Sequence, residues 1–159
     1  MFRPLFVLSA LSLCAAAGVA AADQPVATGF WVTADHGAVV QIEACASGLC
    51  GHLVGLRTNH KPGDSLVDSE NPDAGKRSAP LCGLNLMGSL KPTKAPGKWE
   101  DGWVYDPESG RTYTAQMQLD GPDTLKLRGY IGISLFGRTE TWIRETGENK
   151  NRCVPPTSG

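Results

Sequence analysis

The residues of this chain that are able to do chemistry are few, and their spacing is not that of a catalytic site. The histidines, of which there are three, have no metal-ligand spacing: His36, His52 and His60. Ser109 follows Pro107-Glu108 in a turn-like sequence, whereas a nucleophile elbow requires Gly-x-Ser-x-Gly. Isolated histidines and turn serines are usually structural, so these residues predict no nucleophilic or metal chemistry.

Asp68 and Asp106 are the remaining candidates for an acid–base pair. Asp106-Pro107-Glu108-Ser109-Gly110 is, however, typical of a type I turn with proline second, and Asp68 lies among Ser, Asn and Pro residues, where aspartate commonly caps turns. No phosphate-binding loop is present in the sequence. We therefore expect no enzymatic activity, no cofactor and no metal.

Four cysteines follow the N-terminal segment 1–22: Cys45, Cys50, Cys82 and Cys153. An even number in an exported chain indicates disulfides, with three possible pairings. The four residues between Cys45 and Cys50 allow a hairpin turn to bring their α-carbons within bonding range, which leaves Cys82 for Cys153. The alternative is a zinc site, but a second Cys-x-x-Cys or His-x-x-His pair is missing.

Segment 1–22 has the pattern of a secretory signal: one basic residue, an apolar run and then small residues. It is too short, and wrongly flanked, for a membrane-spanning anchor. Cys14 offers the alternative of a lipid anchor, but it follows Leu13, where lipoprotein processing needs a small side chain. We therefore predict cleavage before Asp23 and export to the periplasm, with lipid attachment as the lesser alternative.

The remaining residues, 23–159, suit a single domain with a sizeable core. Removing the signal leaves 14 basic and 16 acidic residues, a formal charge of −2. Nucleic-acid binding needs a strongly basic face, which this composition does not provide. We expect no nucleic-acid partner.

Alternating apolar and polar residues separated by short turns predict eight strands. The clearest is 111–119, where Tyr113, Ala115, Met117 and Leu119 share one face. The turns are too short for crossover helices, so neighbouring strands must be antiparallel. Gly102 marks an expected bend or bulge. The predicted strands are 29–33, 38–44, 51–57, 83–90, 99–106, 111–119, 124–130 and 137–144, with an irregular tail at 145–159.

Eight antiparallel strands leave a closed barrel or a sandwich as the possible architecture. Closure removes exposed strand edges, and eight strands enclose enough space for side chains or one small ligand. A sandwich needs long Greek-key connections, and segment 58–80 is the one stretch that offers one. We predict an all-β, eight-stranded antiparallel up-and-down barrel, with 58–80 as either a solvated insertion or a lid.

An ordered series of short motifs resembles the bacterial family known as domain of unknown function 2147 (DUF2147). The matching residues are Gly29-x-Trp31, Cys45, Leu49-Cys50-Gly51, Asp68, Asn71-Pro72, Arg77, Gly83, Trp99, Gly102, Tyr105-Asp-Pro-x-Ser-Gly110, Tyr113, Leu125, Arg128-Gly-Tyr-x-Gly132, Gly137-Arg-Thr and Trp142-x-Arg144. The resemblance covers about residues 29–144. It implies a small exported protein with a lipocalin-like barrel and no established activity.

Lipocalins open with Gly-x-Trp, whose tryptophan packs under an arginine of the last strand. Gly29-x-Trp31 and Arg144 are similar in type and order, so the resemblance implies a stacked Trp31–Arg144 pair that closes the barrel. The lipocalin Thr-Asp-Tyr element is replaced by residues 119–123, Leu-Asp-Gly-Pro-Asp. The resemblance therefore predicts the barrel but not the ordinary lipocalin ligands.

The predicted function is binding of a small apolar or amphipathic molecule inside the barrel. The expected lining residues are Trp31, Val40, Ile42, Tyr113, Met117, Leu127, Arg138 and Trp142. The alternative is a structural or protein-interaction module of the cell envelope, with a barrel filled by side chains and segment 58–80 meeting a partner.

Arg138, Glu140 and Arg144 share one face with Trp142, and charges inside a barrel need partners. We favour an outward direction for this face, with Thr139, Thr141 and Ile143 inward, or a simple Arg138–Glu140 pair at the rim. The sharper hypothesis makes Arg138 a bidentate anchor for a ligand carboxylate.

Overall fold

The protein, as a computed structural model, is described for residues 26–35, 37–56, 66–147 and 153. Eight antiparallel strands form a closed barrel in which each strand pairs with its sequence neighbours and the last pairs with the first. The strands are β1 (Gly29–Val32), β2 (Ala38–Cys45), β3 (Gly48–Leu56), β4 (Asn85–Pro92), β5 (Lys98–Asp106), β6 (Arg111–Leu119), β7 (Thr124–Tyr130) and β8 (Arg138–Arg144). The predicted up-and-down barrel is confirmed. The predicted signal segment and Cys14 lie outside the described residues.

The alternation of β6 sets the inward face of the barrel. Met117 pairs with Leu127 of β7, and Leu119 pairs with Leu125, so that apolar side chains meet on the inside. The bulge predicted at Gly102 is present, because the pairing of β5 with β6 shifts between Trp99 and Gly102.

Trp31 and Arg144 join β1 to β8 and close the barrel. Their α-carbons are register partners, and the Arg144 guanidinium carbon lies 4.2 Å from the centre of the Trp31 ring. Arg144 also donates hydrogen bonds to the carbonyls of Val26 (2.7 Å), Thr28 (3.0 Å) and Pro122 (2.7 Å). The structure thus places the pair as the family resemblance implied, with the guanidinium stacked on the indole.

The two ends of the barrel differ. The connections 33–37, 107–110 and 131–137 lie at one end, named the mouth, to which the β3–β4 connection also leads. The connections 46–47, 93–97 and 120–123 lie with the Trp31–Arg144 pair at the other end, named the base. In the part of the chain that the structure describes, helical structure is limited to the 3-10 turns Ala74–Lys76 and Ser134–Phe136, and no helix has the length and apolar character needed to cross a membrane.

Two disulfides add covalent links to the hydrogen-bonded barrel. Cys45 is bonded to Cys50 across the β2–β3 turn, and Cys82 is bonded to Cys153. The Cys153 amide also donates to the carbonyl of Val54, at 2.9 Å, so this part of the tail is fixed on β3.

Candidate functional site

A cavity of about 650 Å³ opens at the mouth. Its inner wall is built from inward-facing side chains of successive strands, including Leu53, Leu86, Val104 and Leu127, with Trp142 at the inner limit. This volume lies within the range of pockets that hold small molecules. Gly129 leaves space between neighbouring side chains of the wall, because a Cβ there would lie 3.3 Å from a Val104 methyl and 3.4 Å from the Tyr113 Cβ.

The sequence-predicted lining residues divide between the cavity and the core. Tyr113, Leu127, Arg138 and Trp142 line the cavity. The other four belong instead to the packed core below it, and for them the predicted lining role is corrected: Trp31, Val40, Ile42 and Met117. Large side chains from all strands meet at this level, including Met87, Leu90 and Leu125, and together they fill the barrel.

The inward face of β8 carries the charged residues, contrary to the first of the two favoured sequence interpretations, in which this face points outward. Trp142 is 3% exposed and packs in the core, whereas Ile143 is 45% exposed. Arg138 and Glu140 share the face of Trp142 and line the cavity. The predicted outward orientation was wrong because burial of the Trp142 indole stabilises the fold more than burial of the Ile143 side chain. With Trp142 inside, the other residues of its face also point inward.

The second sequence interpretation, a rim pair, describes the charges better. The Arg138 Nε lies 3.9 Å from the Glu140 Oε1, with the arginine side chain 88% exposed and the glutamate 39% exposed. The Trp142 indole N–H donates to the other Glu140 oxygen at 3.3 Å. Glu140 therefore stands between an apolar inner wall and a solvated arginine.

The mouth is bordered by tight turns that aspartates stabilise. Asp106 accepts hydrogen bonds from the Glu108 amide (3.0 Å) and the Ser109 hydroxyl (2.6 Å). Asp35 accepts one from the Gly37 amide at 3.0 Å. Asp106 and Ser109 thus have the turn role that the sequence predicted.

Asp68 does more than cap a turn, which corrects the sequence interpretation. It is 0% exposed, and its two carboxylate oxygens accept hydrogen bonds from the Tyr105 hydroxyl (2.7 Å) and the Asn71 amide (2.6 Å). Burial, and next the hydrogen bond to Asp68, raise the pKa of the Tyr105 hydroxyl to about 12. Asp68 and Asp106 do not form an acid–base pair, because each is engaged separately.

The Asp68–Tyr105 contact fastens the described part of the long connection to the barrel. Val67 forms a bridge with Pro80, and the Glu70 carbonyl approaches Gly110 so closely that no Cβ would fit there. Segment 66–80 thus contacts the β5–β6 hairpin through Asp68 and Glu70. The first part of the predicted loop lies outside the described residues.

A short segment beside the mouth, 131–136, exposes large apolar side chains. Phe136 is 81% exposed, and the others that are exposed are Ile131, Ile133 and Leu135. The Arg128 guanidinium holds the segment by donating to the Ser134 carbonyl (2.6 and 2.8 Å) and the Leu135 carbonyl (3.2 Å). Hydrogen bonds therefore hold the backbone of the segment while its apolar side chains are exposed, and two of them, Ile131 and Phe136, also line the cavity.

The other chemistry-bearing residues do not join the cavity. His52 lies on β3 with its Nε2 3.1 Å from the Glu43 Oε1, and neither residue lines the cavity. His36 and His60 lie outside the described residues. Within the described ranges, no three His, Cys, Asp or Glu side chains are grouped so that they could hold a metal.

Sequence reasoning missed Tyr105 and gave Glu140 only a structural role. Tyr105 stands in the Tyr-Asp-Pro-x-Ser-Gly motif that was interpreted solely as a turn, and its partner Asp68 is distant in sequence. A signal was available for Glu140, because it shares its strand face with Trp142 and a large aromatic residue normally faces the core.

Comparison with known proteins agrees with this architecture. A family model described as an uncharacterized protein conserved in bacteria (DUF2147) matches residues 29–144. A solved structure, protein HP1028 from the human pathogen Helicobacter pylori, described as belonging to the lipocalin family, superposes with a TM-score of 0.65. It is 18% identical, and the match covers 75% of this chain and 82% of that one, which shows a shared fold. A search of curated proteins gives no match. The ordered motifs, the closed barrel and the family match together show that this chain belongs to the DUF2147 family, with a lipocalin-like fold.

Proposed function

We propose that this protein is an exported binding protein that holds a small apolar or amphipathic molecule in the cavity at the mouth. The observation that carries the proposal is the contrast within one barrel: the base is packed, while about 650 Å³ remains open above Trp142. The inner wall is apolar, and charged side chains lie toward solvent. Such an arrangement suits a molecule with an apolar body and a polar end.

Two features support export to the periplasm. The N-terminal sequence has the pattern of a secretory signal. The disulfides Cys45–Cys50 and Cys82–Cys153 are of the kind that forms in oxidising compartments. A binding protein in this location would meet small apolar molecules moving between the membranes of the envelope.

A binding role without catalysis fits the engagement of the candidate groups. The Asp106 carboxylate and the Ser109 hydroxyl bond to each other within their turn, and the Asp68 carboxylate is buried against Tyr105. The hydroxyl–carboxylate contact of Ser109 with Asp106 lies within one tight turn, and no described histidine lines the cavity beside it.

The direct test is to purify the protein from its own host and to analyse bound molecules by native mass spectrometry and organic extraction. In parallel, the apo protein is titrated with the neutral probe N-phenyl-1-naphthylamine. We expect a lipid-sized molecule to copurify and the probe to bind. Absence of both would reject the function.

A pair of variants locates the probe. Ala38 lines the cavity, so Ala38→Phe should reduce probe affinity at least about tenfold by occupying the space. Ala46 lies in the exposed turn at the base, so Ala46→Phe serves as the matched control. Equal effects of the two substitutions would place the probe outside the cavity.

The second candidate is an interaction module of the cell envelope, and the exposed segment 131–136 favours it. Under this alternative, photo-crosslinking from position 134 in the native host captures one envelope protein, and the Ile133→Ser/Leu135→Ser variant loses it. Probe binding would then be absent, and Ala38→Phe would leave the crosslink unchanged.

A further inference from the structure

The cavity carries an excess of negative charge. Among the residues that the structure describes, four carboxylates and one guanidinium line it: Asp35, Asp106, Glu108, Glu140 and Arg138. The hydrogen bonds that Asp106 accepts within its turn do not remove its charge. A negatively charged ligand group would therefore meet net repulsion at the mouth, and a positively charged one net attraction.

Glu140 is the carboxylate placed to contact such a group. On the inward face of β8 it lies between Trp142, which borders the apolar inner wall, and Arg138, which reaches into solvent. An amphiphile whose apolar part occupies the inner wall would bring its polar end to the level of Glu140.

Arg138 is a weak competitor for Glu140. Their 3.9 Å separation is long for an ion pair, and the guanidinium is almost fully solvated. Exposed ion pairs of this kind contribute little to stability. A ligand cation can therefore take the place of Arg138 without leaving a buried, unpaired arginine.

Aromatic rings provide an independent reason to expect a cation. Tyr113 and Trp142 occupy inward positions on β6 and β8, and both line the cavity. Strand β7 lies between β6 and β8, and it contributes Leu127 and the small Gly129 between the two aromatic residues. The faces of aromatic rings attract ammonium groups, and more strongly where water is partly excluded.

We propose that the cavity selects amphiphiles with a positively charged end, that Glu140 contacts the ammonium group, and that the rings of Tyr113 and Trp142 line its site. The inference rests on the proposed function, since it names the class of ligand that the same cavity takes. Under this inference Arg138 competes with the ligand ammonium for Glu140, whereas in the sequence hypothesis it anchors a ligand carboxylate.

The experiment measures displacement of N-phenyl-1-naphthylamine from the disulfide-bonded protein by three amphiphiles of equal chain length. They are dodecyltrimethylammonium, dodecyl maltoside and dodecanoate, each below its critical micelle concentration. We expect the ammonium compound to bind about tenfold more tightly than dodecanoate, and the difference to shrink at high salt. Equal affinities or the reverse order would overturn the inference while the proposed function stands. Failure of the neutral probe and of all three amphiphiles to bind would overturn the proposed function itself.

Variants assign the contact. Glu140→Gln should lower ammonium affinity about tenfold and leave maltoside affinity unchanged, whereas Arg138→Gln should raise ammonium affinity. Glu43→Gln changes the net charge equally, but Glu43 is outside the cavity lining and serves as the control. Loss of dodecanoate binding in Arg138→Gln, with ammonium affinity unchanged, would show that Arg138 is the anchor and that the inference is wrong.

Discussion

Arg138 and Arg144 stand at opposite ends of β8, on the same face of one strand, in different surroundings. Arg144, 21% exposed, stacks on Trp31 and donates to three backbone carbonyls. Arg138 is solvated and has a long contact with Glu140. Strand β8 therefore supplies the base with an arginine that stabilises the barrel, and the mouth with an arginine whose contacts are weak. The difference fits the proposal that stability and binding are separated along the barrel axis.

The largest expected effect compares the two disulfides. Replacing Cys82 and Cys153 by alanine removes a link that closes a loop with a sequence separation of 71 residues. The unfolded chain gains conformational entropy, and the free energy of unfolding should fall by about 4 kcal/mol. Replacing Cys45 and Cys50, separated by five residues at the base turn, should cost about 2 kcal/mol. Urea unfolding followed by tryptophan fluorescence measures both, and the reverse order would contradict the loop-entropy argument.

The arginine comparison comes next. Arg144→Ala should lower the free energy of unfolding by about 3 kcal/mol, because three carbonyls lose their donors and Trp31 loses its cation. Arg138→Ala should cost less than about 0.5 kcal/mol. Arg144→Lys should restore only part of the loss, because an ammonium cannot reproduce the planar fork. Similar costs at the two ends would break the proposed separation.

Tyr105→Phe tests the contact that holds segment 66–80 near the mouth. At neutral pH it should lower the free energy of unfolding by about 2 kcal/mol, because the buried Asp68 carboxylate loses a donor. The folded pKa of Tyr105, about 12, lies above the ordinary tyrosine value of 10.0, so the contribution of this hydroxyl to wild-type stability is full below pH 10 and declines between pH 10 and 12.

The alkaline decline gives this prediction a second readout. Above pH 10 the unfolded tyrosine releases its proton while the folded one retains it, which favours unfolding by about 1.4 kcal/mol per pH unit. The variant should lack this component, so the difference between the two proteins should narrow from pH 10 to 12. A constant difference would show that the Asp68–Tyr105 contact does not hold the tyrosine proton.

The smallest effect concerns the exposed segment at the mouth. Arg128→Gln should lower the global free energy of unfolding by less than about 1 kcal/mol, since the segment contributes little to the core. Amide exchange within 131–136 should nevertheless accelerate about tenfold, because the Ser134 and Leu135 carbonyls lose their donors. Lys126→Gln provides the control, because Lys126 lies on the same strand as Arg128 and the substitution removes an exposed ion pair with Asp120 in the β6–β7 turn. Unchanged exchange would mean that other contacts order the segment.

Much of the fold was predictable because its causes are local. The alternation in β6 placed Ala115, Met117 and Leu119 inward, as observed, and short turns excluded crossover helices. The site was less predictable. Asp68 reads locally as a turn residue, and its contact with Tyr105, 37 residues away, depends on how the long connection returns to the barrel.

The sequence alone determined the eight strands and their antiparallel order, because side-chain alternation and turn chemistry act over a few residues. The pairing of Trp31 with Arg144 was expected only from the family resemblance, because it joins the two ends of the barrel. Only the tertiary structure decided where the packed core ends and the cavity begins. Alternation tells which side chains point inward, but the space at each level depends on neighbours from all eight strands. For that reason Met117 is buried in the core while Tyr113, four residues earlier on the same face of β6, lines the cavity.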